Sequence, residues 1–182
     1  MLKKVAIVTA LFLFILSHSY SNKKGYEALY NEHEVKAVML WKISMFVEWP
    51  KEKIEKEKDF NICFVGDENR YKIFKKILEE LTILKKKIKF LRCNNTSILK
   101  EAKRSFILFL TNNQLIEMIK ELSLNFPILI VGDNDSLIEY GAHICFYLHE
   151  DRIRFKLNYK GLKDSMVKVS YKLYNIGEVV NK

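Results

Sequence analysis

Apolar and polar positions divide this chain into short blocks that alternate between a strand-like and a helix-like period. Phe60 to Val65, Phe106 to Leu110 and Pro127 to Val131 are nearly continuous apolar runs, the pattern of strands buried on both faces. Lys87 to Arg92 alternates and predicts a further strand. Between these runs, Arg70 to Leu81 carries Ile73, Phe74, Ile77, Leu78 and Leu81 on one stripe and predicts a helix, as do Ile98 to Lys103 and Gln114 to Leu122. Strands and helices in alternation imply parallel crossovers with both sheet faces covered. From Gly141 the pattern changes. His143 to Leu148 and Arg152 to Leu157, separated by His149, Glu150 and Asp151, predict an antiparallel hairpin. Asn158 then starts a turn, and Ser170 to Val179 predicts a closing helix with Leu173, Ile176 and Gly177 toward the core. The expected class is α/β: a three-layer, Rossmann-like mixed sheet with a parallel body and an antiparallel edge hairpin, flanked by helices.

The block from Glu34 to Pro50 is the least ordinary. Val35, Val38, Met39, Lys42, Phe46 and Trp49 follow helical spacing, yet Leu40, Trp41, Ile43, Met45 and Val47 make the other side nearly as apolar. Such a helix needs cover on more than one face. Asn31 and Glu34 suit an N-terminal capping pair. Pro50 lacks an amide proton and disfavours helical geometry at Trp49, so the helix is expected to run to Trp49 and stop there.

Composition narrows the class. Half of the 182 residues are apolar or aromatic, with six Gly and two Pro, which suits one compact domain rather than a disordered chain. Residues 1–21 have the anatomy of a cleaved secretory signal: Lys3 and Lys4, an apolar run from Val5 to Leu16, then Ser19 and Ser21. Residues 22–182 then form a single exported domain, placed in the periplasm. The net charge of +9 is carried by lysines that alternate with Glu and apolar residues, which predicts solvated faces; nucleic acid is not an expected partner. Of the three cysteines, Cys63 and Cys145 sit in apolar strand-like runs as buried small hydrophobes, while Cys93 borders a polar loop and is expected to be exposed. Three cysteines allow at most one internal disulfide.

Site chemistry is sparse. The turn Gly66, Asp67, Glu68, Asn69 lacks the spaced glycines of a dinucleotide site, and its carboxylates would repel phosphate. No P-loop, no Gly-x-Ser-x-Gly elbow, no His-Glu-x-x-His and no metal-ligand spacing occurs, so no catalytic residue, metal or cofactor is expected. His33, His143 and His149 are scattered, and a catalytic reading would need the last two to converge on a carboxylate in a cleft. A ligand-binding alternative rests on Gly66, Asp67, Asp133 and Asp135, in loops after strands where open α/β sheets bind ligands. Turn formation is the competing role for Asp133 and Asp135.

Five blocks in order carry a family resemblance. They are Val35, Lys36 and Ala37 followed by Phe46, Val47, Glu48, Trp49 and Pro50; Cys63 to Asp67; Gly141 to Phe146; Arg152 to Asn158; and Val167 to Leu173. Together they resemble the YfiR/HmsC family of exported bacterial proteins, whose third and fourth blocks are of Gly-Gly-Met-Ile-Asn-Phe and Arg-x-Arg-Phe-x-Ile-Asn type. Ala142, Cys145 and Met166 stand where that family often shows Gly, Asn and Gly. Ser105 lies near the position of a cysteine that partners the equivalent of Cys63 in many members. A side chain at Met166 is strained if that glycine adopts positive φ.

The resemblance implies a non-enzymatic periplasmic regulator. Its best-known members repress a membrane-bound diguanylate cyclase through its periplasmic part, lowering cyclic di-GMP and biofilm formation, and others are similar to proteins encoded beside sensor kinases. The implied partner is thus the periplasmic domain of an inner-membrane diguanylate cyclase or sensor kinase, with a homodimer expected. Trp and Arg are the side chains that most often carry binding energy at interfaces. The expected contact residues are Trp41, Glu48, Trp49 and Pro50, with Arg152, Arg154 and Phe155 as a second patch; for Trp49 a core role is the competing reading.

Overall fold

A computed structural model describes residues 32–182. The signal segment 1–21 and the Asn31 cap lie outside the described residues. Helix α1 (Glu32–Ser44) opens the description and is followed by the two-residue strand β1 (Val47–Glu48), so the helix stops well before Trp49. Two causes, one local and one long-range, account for the difference. Ser44 Oγ donates to the Trp41 carbonyl at 2.6 Å, and the Met45 and Phe46 amides bond three residues back, which tightens the last turn and ends it. The chain then extends, because β1 pairs antiparallel with β9 (Lys168–Val169), Val47 facing Val169 and Glu48 facing Lys168. Pro50 starts rather than stops a helix: its carbonyl accepts from Lys53 and Ile54 in α2 (Lys51–Lys56), a turn the charge-rich sequence conceals.

Strand β2 (Phe60–Val65) is buried throughout. It leads to α3 (Glu68–Leu78), whose first turn is capped by the Asp67 carboxylate accepting from the Arg70 amide at 3.0 Å. α3 ends three residues short of Leu81 because Thr82–Ile83 (β3) turns back on β4 (Lys86–Arg92), with Leu84 and Lys85 both at positive φ as in a tight two-residue hairpin. The chain continues through α4 (Ile98–Arg104), β5 (Ser105–Leu110), a 3₁₀ turn at Ile116–Met118 running into α5 (Ile119–Asn125), and β6 (Leu129–Gly132). A second 3₁₀ turn at Asp135–Ile138 precedes β7 (Ile144–His149), which pairs antiparallel with β8 (Arg152–Asn158) through Glu150 and Asp151, both at positive φ. Then come α6 (Tyr159–Asp164), β9, α7 (Tyr171–Tyr174) and β10 (Glu178–Val180).

The expected closing helix is therefore a single turn followed by a strand. A Cβ at Gly177 would collide with the Phe155 ring, so only glycine lets the backbone come this close and lay β10 parallel to β8. Leu173 is buried as expected, but Ile176 is 67% exposed. Met166 is not among the positive-φ residues, so its side chain is unstrained there.

Eight strands form one mixed sheet in the order β10-β8-β7-β6-β5-β2-β4-β3. β4, β2, β5, β6 and β7 are the parallel body, and β10 adds a strand outside the antiparallel hairpin. Side chains alternate between two cores. On one face Phe64, Phe109 and Phe146 pack with Leu40 of α1 and Phe74 of α3; on the other Val65, Leu108 and Ile130 pack with Ala102 of α4 and Leu122 of α5. The three layers follow from strands apolar on both sides, which need helices above and below.

Cys63 in β2 is bridged to Cys93, which follows β4. Pairing of β2 with β4, continued by the Cys93 amide donating to the Phe64 carbonyl at 2.8 Å, sets the two side by side. Cys93 is thus 5% exposed and bonded rather than an exposed thiol, and the role of the family's second cysteine is not left to Ser105. A bridge over a sequence separation of 30 contributes about 3–4 kcal/mol in the chain-entropy account. Cys145 is the buried thiol, and burial pushes it up to about 12, where it is inert.

Two lysines depart from the expected solvated faces. Lys53 is 6% exposed; its ammonium donates to the carbonyls of Ser105 at 2.6 Å and Pro127 at 2.9 Å and lies over the Phe106 ring. Burial lowers its pKa to about 8. Lys36 belongs to the site described next.

Candidate functional site

In an open α/β sheet the ligand position is the crevice at the carboxyl ends of the strands where the strand order reverses, here between β2 and β5. This chain fills that end of the sheet with its own side chains. Thr111, just past β5, lies so close to Gly66, just past β2, that a Cβ at Gly66 would collide with it. Asp133, just past β6, is 5% exposed and sits between two cations: Lys36 Nζ at 2.8 Å from one carboxylate oxygen and Arg70 Nη1 at 2.5 Å from the other. Lys36 also donates to the Asp133 carbonyl at 3.0 Å, and Arg70 Nε reaches back to Asp67 at 3.2 Å. Charge-assisted bonds in this setting fix α1 and α3 against the strand ends.

Each residue of the expected ligand set is thereby engaged within the fold. Asp67 caps α3, and the Arg70 amide and guanidinium beside it hold its carboxyl below the usual range against a burial effect of opposite sign. Asp135 pairs with Lys156 at 3.1 Å. Gly66 abuts Thr111, and Asp133 holds the ion network. The sequence reading missed Lys36 and Arg70. The available signal was a lysine inside an apolar helical run, which needs a buried partner or a route to solvent.

The expected contact residues separate into two groups. Trp49 is 7% exposed and makes edge-on contacts with Phe60 at 5.7 Å and Phe106 at 5.4 Å, so it is a core anchor and not a surface side chain. Phe155 is 6% exposed and faces Phe146 across the hairpin, which removes it from the surface as well. Trp41 is half-buried, its indole donating to the Thr82 carbonyl at 3.1 Å to tie α1 to β3. Pro50 is half-buried at the start of α2, and Glu48 is exposed on β1. Arg152 and Arg154 are exposed on β8, opposite His149 and Tyr147. Because Phe60 and Phe106 open their strands while His149 closes β7, the block around Trp49 and the arginine patch lie at opposite ends of the sheet.

The β1–β9 ribbon is the exposed feature nearest the Trp49 block. Its outward residues are Glu48 and Lys168, and the flanking chain adds Met45, 53% exposed, Met166, 52%, and Tyr171, 69%. The Ser170 amide donates to the Phe46 carbonyl at 2.8 Å, which continues the ribbon toward Met45 and Tyr171. Exposed methionine and tyrosine around a charged pair make an adaptable contact surface.

The family model for YfiR/HmsC-like proteins matches residues 33–178. This chain belongs to the YfiR/HmsC-like family. YfiR/HmsC-like proteins are periplasmic regulators of cyclic di-GMP signalling rather than catalysts. Among curated proteins nothing matches the chain. A solved structure, a conserved domain protein from Vibrio cholerae O1 biovar El Tor strain N16961, is similar at a TM-score of 0.52 and 10% identity. The match covers 81% of this chain and 60% of that one, and at this identity it speaks to the fold alone. Among the described residues no helix is long and apolar enough to cross a membrane.

The histidines do not converge. His149 is exposed at the end of β7, whereas His143 is fully buried just before its start. His143 Nδ1 accepts from the Ile130 amide at 3.1 Å, and burial lowers its pKa to about 4. An unfolded histidine titrates near 6.5, so below that pH the unfolded chain takes a proton that the folded chain refuses. Stability is expected to fall as pH drops from about 6.5 to about 4, by about 3 kcal/mol in total. Urea midpoints across this window check it, and His143→Leu should flatten the slope.

Proposed function

We propose that this YfiR/HmsC-like protein is a periplasmic regulator that modulates a membrane-bound signalling protein, with a diguanylate cyclase as the partner, by direct protein contact through the β1–β9 ribbon. Family membership over residues 33–178 carries the reading. The exposed Met45, Glu48, Met166, Lys168 and Tyr171 around the ribbon support the choice of surface. Trp49 acts beneath it by fixing β1 to the core, and the arginines at positions 152 and 154 form a separate surface.

Cyclic di-GMP in cells that express the chain tests the proposal. The expected result is a lower level with the full chain, no effect when residues 1–21 are deleted, and a weakened effect for Glu48→Arg and Met45→Glu. Equal levels with and without residues 1–21 would overturn the periplasmic site of action. A full effect from both ribbon variants would overturn the surface assignment. A kinase output without a change in cyclic di-GMP would overturn the choice of a cyclase.

A further inference from the structure

A cavity of about 380 Å³ lies at the amino ends of β6 and β7, between α5, α6 and the carboxyl-terminal strand. Its size falls within the range of small-molecule sites, about 300–1,000 Å³. Leu124 and Ile138 provide apolar wall, and the charged lining consists of Lys120, Lys160, Lys182, Glu139 and Asp164. These five come from α5, α6, the turn before β7 and the end of the chain, with Lys160 and Asp164 four residues apart on α6, and share one hollow, yet none of them forms an ion pair with another described residue. Elsewhere on this surface some opposite charges do pair, as in Lys51 with Glu55, Lys72 with Glu68, Arg104 with Glu101 and Lys156 with Asp135.

The charge arrangement selects among ligand classes. A plain anion would gain from the three ammonium groups and lose against Glu139 and Asp164; a plain cation would meet the reverse. A molecule carrying both an ammonium and a carboxylate gains at each end, because both of its charges meet unpaired groups of opposite sign. We propose that this cavity binds a small zwitterion with a short apolar body, its carboxylate toward the lysines and its ammonium toward Glu139 and Asp164. The site lies apart from the strand ends closed by Lys36 and Arg70, and the inference stands independently of the regulatory reading.

Alanyl-alanine is a suitable probe, with its N-acetylated and C-amidated forms as singly charged controls. In a thermal-unfolding experiment about 10 mM dipeptide is expected to raise Tm by about 3 °C, with less than half that shift from either capped form. Lys160→Gln and Asp164→Asn change exposed side chains, so each should keep its own Tm without probe and lose at least about half of the shift. The absence of a shift for the dipeptide would overturn the site. Equal shifts from the capped forms would overturn the zwitterion assignment, and an undiminished shift in both variants would overturn the placement in this cavity.

Discussion

Trp49→Ala is expected to lower folding stability by about 3–5 kcal/mol, the range for emptying a buried tryptophan site. Trp49 fills the junction where β1 meets the first residues of β2 and β5, with Phe60 and Phe106 stacked on each other at 4.4 Å beneath it. Removing the indole leaves both rings without their edge-on partner and opens a cavity the strands cannot close, because their register is fixed by five neighbouring pairs. At this chain length each kcal/mol moves Tm by about 2–4 °C, so a fall of about 10 °C or more should appear in a thermal scan. Trp49→Phe should recover most of it, since the indole Nε1 has no hydrogen-bond partner to lose. A stable Trp49→Ala protein that fails only in partner binding would place Trp49 at the interface after all.

The second large effect is at Asp133. Asp133→Ala removes the carboxylate that Lys36 and Arg70 share, and leaves two cations facing each other at the strand ends, one of them 4% exposed. Breaking a buried pair from one side costs about 3–5 kcal/mol, far more than an exposed pair is worth. The double variant Lys36→Met with Asp133→Ala should recover part of the loss, because the buried ammonium is gone as well. Urea unfolding of the two single variants and the double variant measures this coupling. Additive losses would show that the pair does not couple.

These two sites also mark where sequence reasoning reached and where it stopped. The buried strands were legible because nearly continuous apolar runs can be satisfied only by cover on both faces, and Phe60–Val65 and Ser105–Leu110 are covered that way. The hairpin was legible from its alternation, with a turn one residue longer than the observed Glu150 and Asp151, because His149 belongs to β7 and pairs with Arg152. The helix from Glu34 was legible in type and misjudged in length. Nothing local distinguishes a helical Val47 from an extended one; pairing with Val169, more than a hundred residues later, decides it. The same holds for the carboxyl terminus, where Gly177 has strand meaning only because Phe155 lies against it.

Site residues divide along the same line. Glu48 and the two arginines of β8 were expected as contact residues from the family blocks and from residue type, and all three are exposed. Trp49 and Phe155 were ambiguous because an aromatic suits a core as well as an interface, and only the packing of the strand ends turns them inward. Asp133 suited a turn, or a carboxylate in a ligand loop. Its partners are Lys36 and Arg70, ninety-seven and sixty-three residues away in sequence, so no local pattern could name them.

By itself, the sequence determined the class of the fold, the order of most of its elements and the resemblance to a regulatory family, because each rests on local periodicity or on short ordered blocks. Only the tertiary structure decided that the expected ligand position is closed by an ion network, that Cys63 pairs with Cys93, and that the motif around Trp49 is an anchor beneath an exposed ribbon. The physical reason is that burial, charge pairing and disulfide geometry depend on which distant segments meet, and that is fixed by strand order and register rather than by neighbours in the chain.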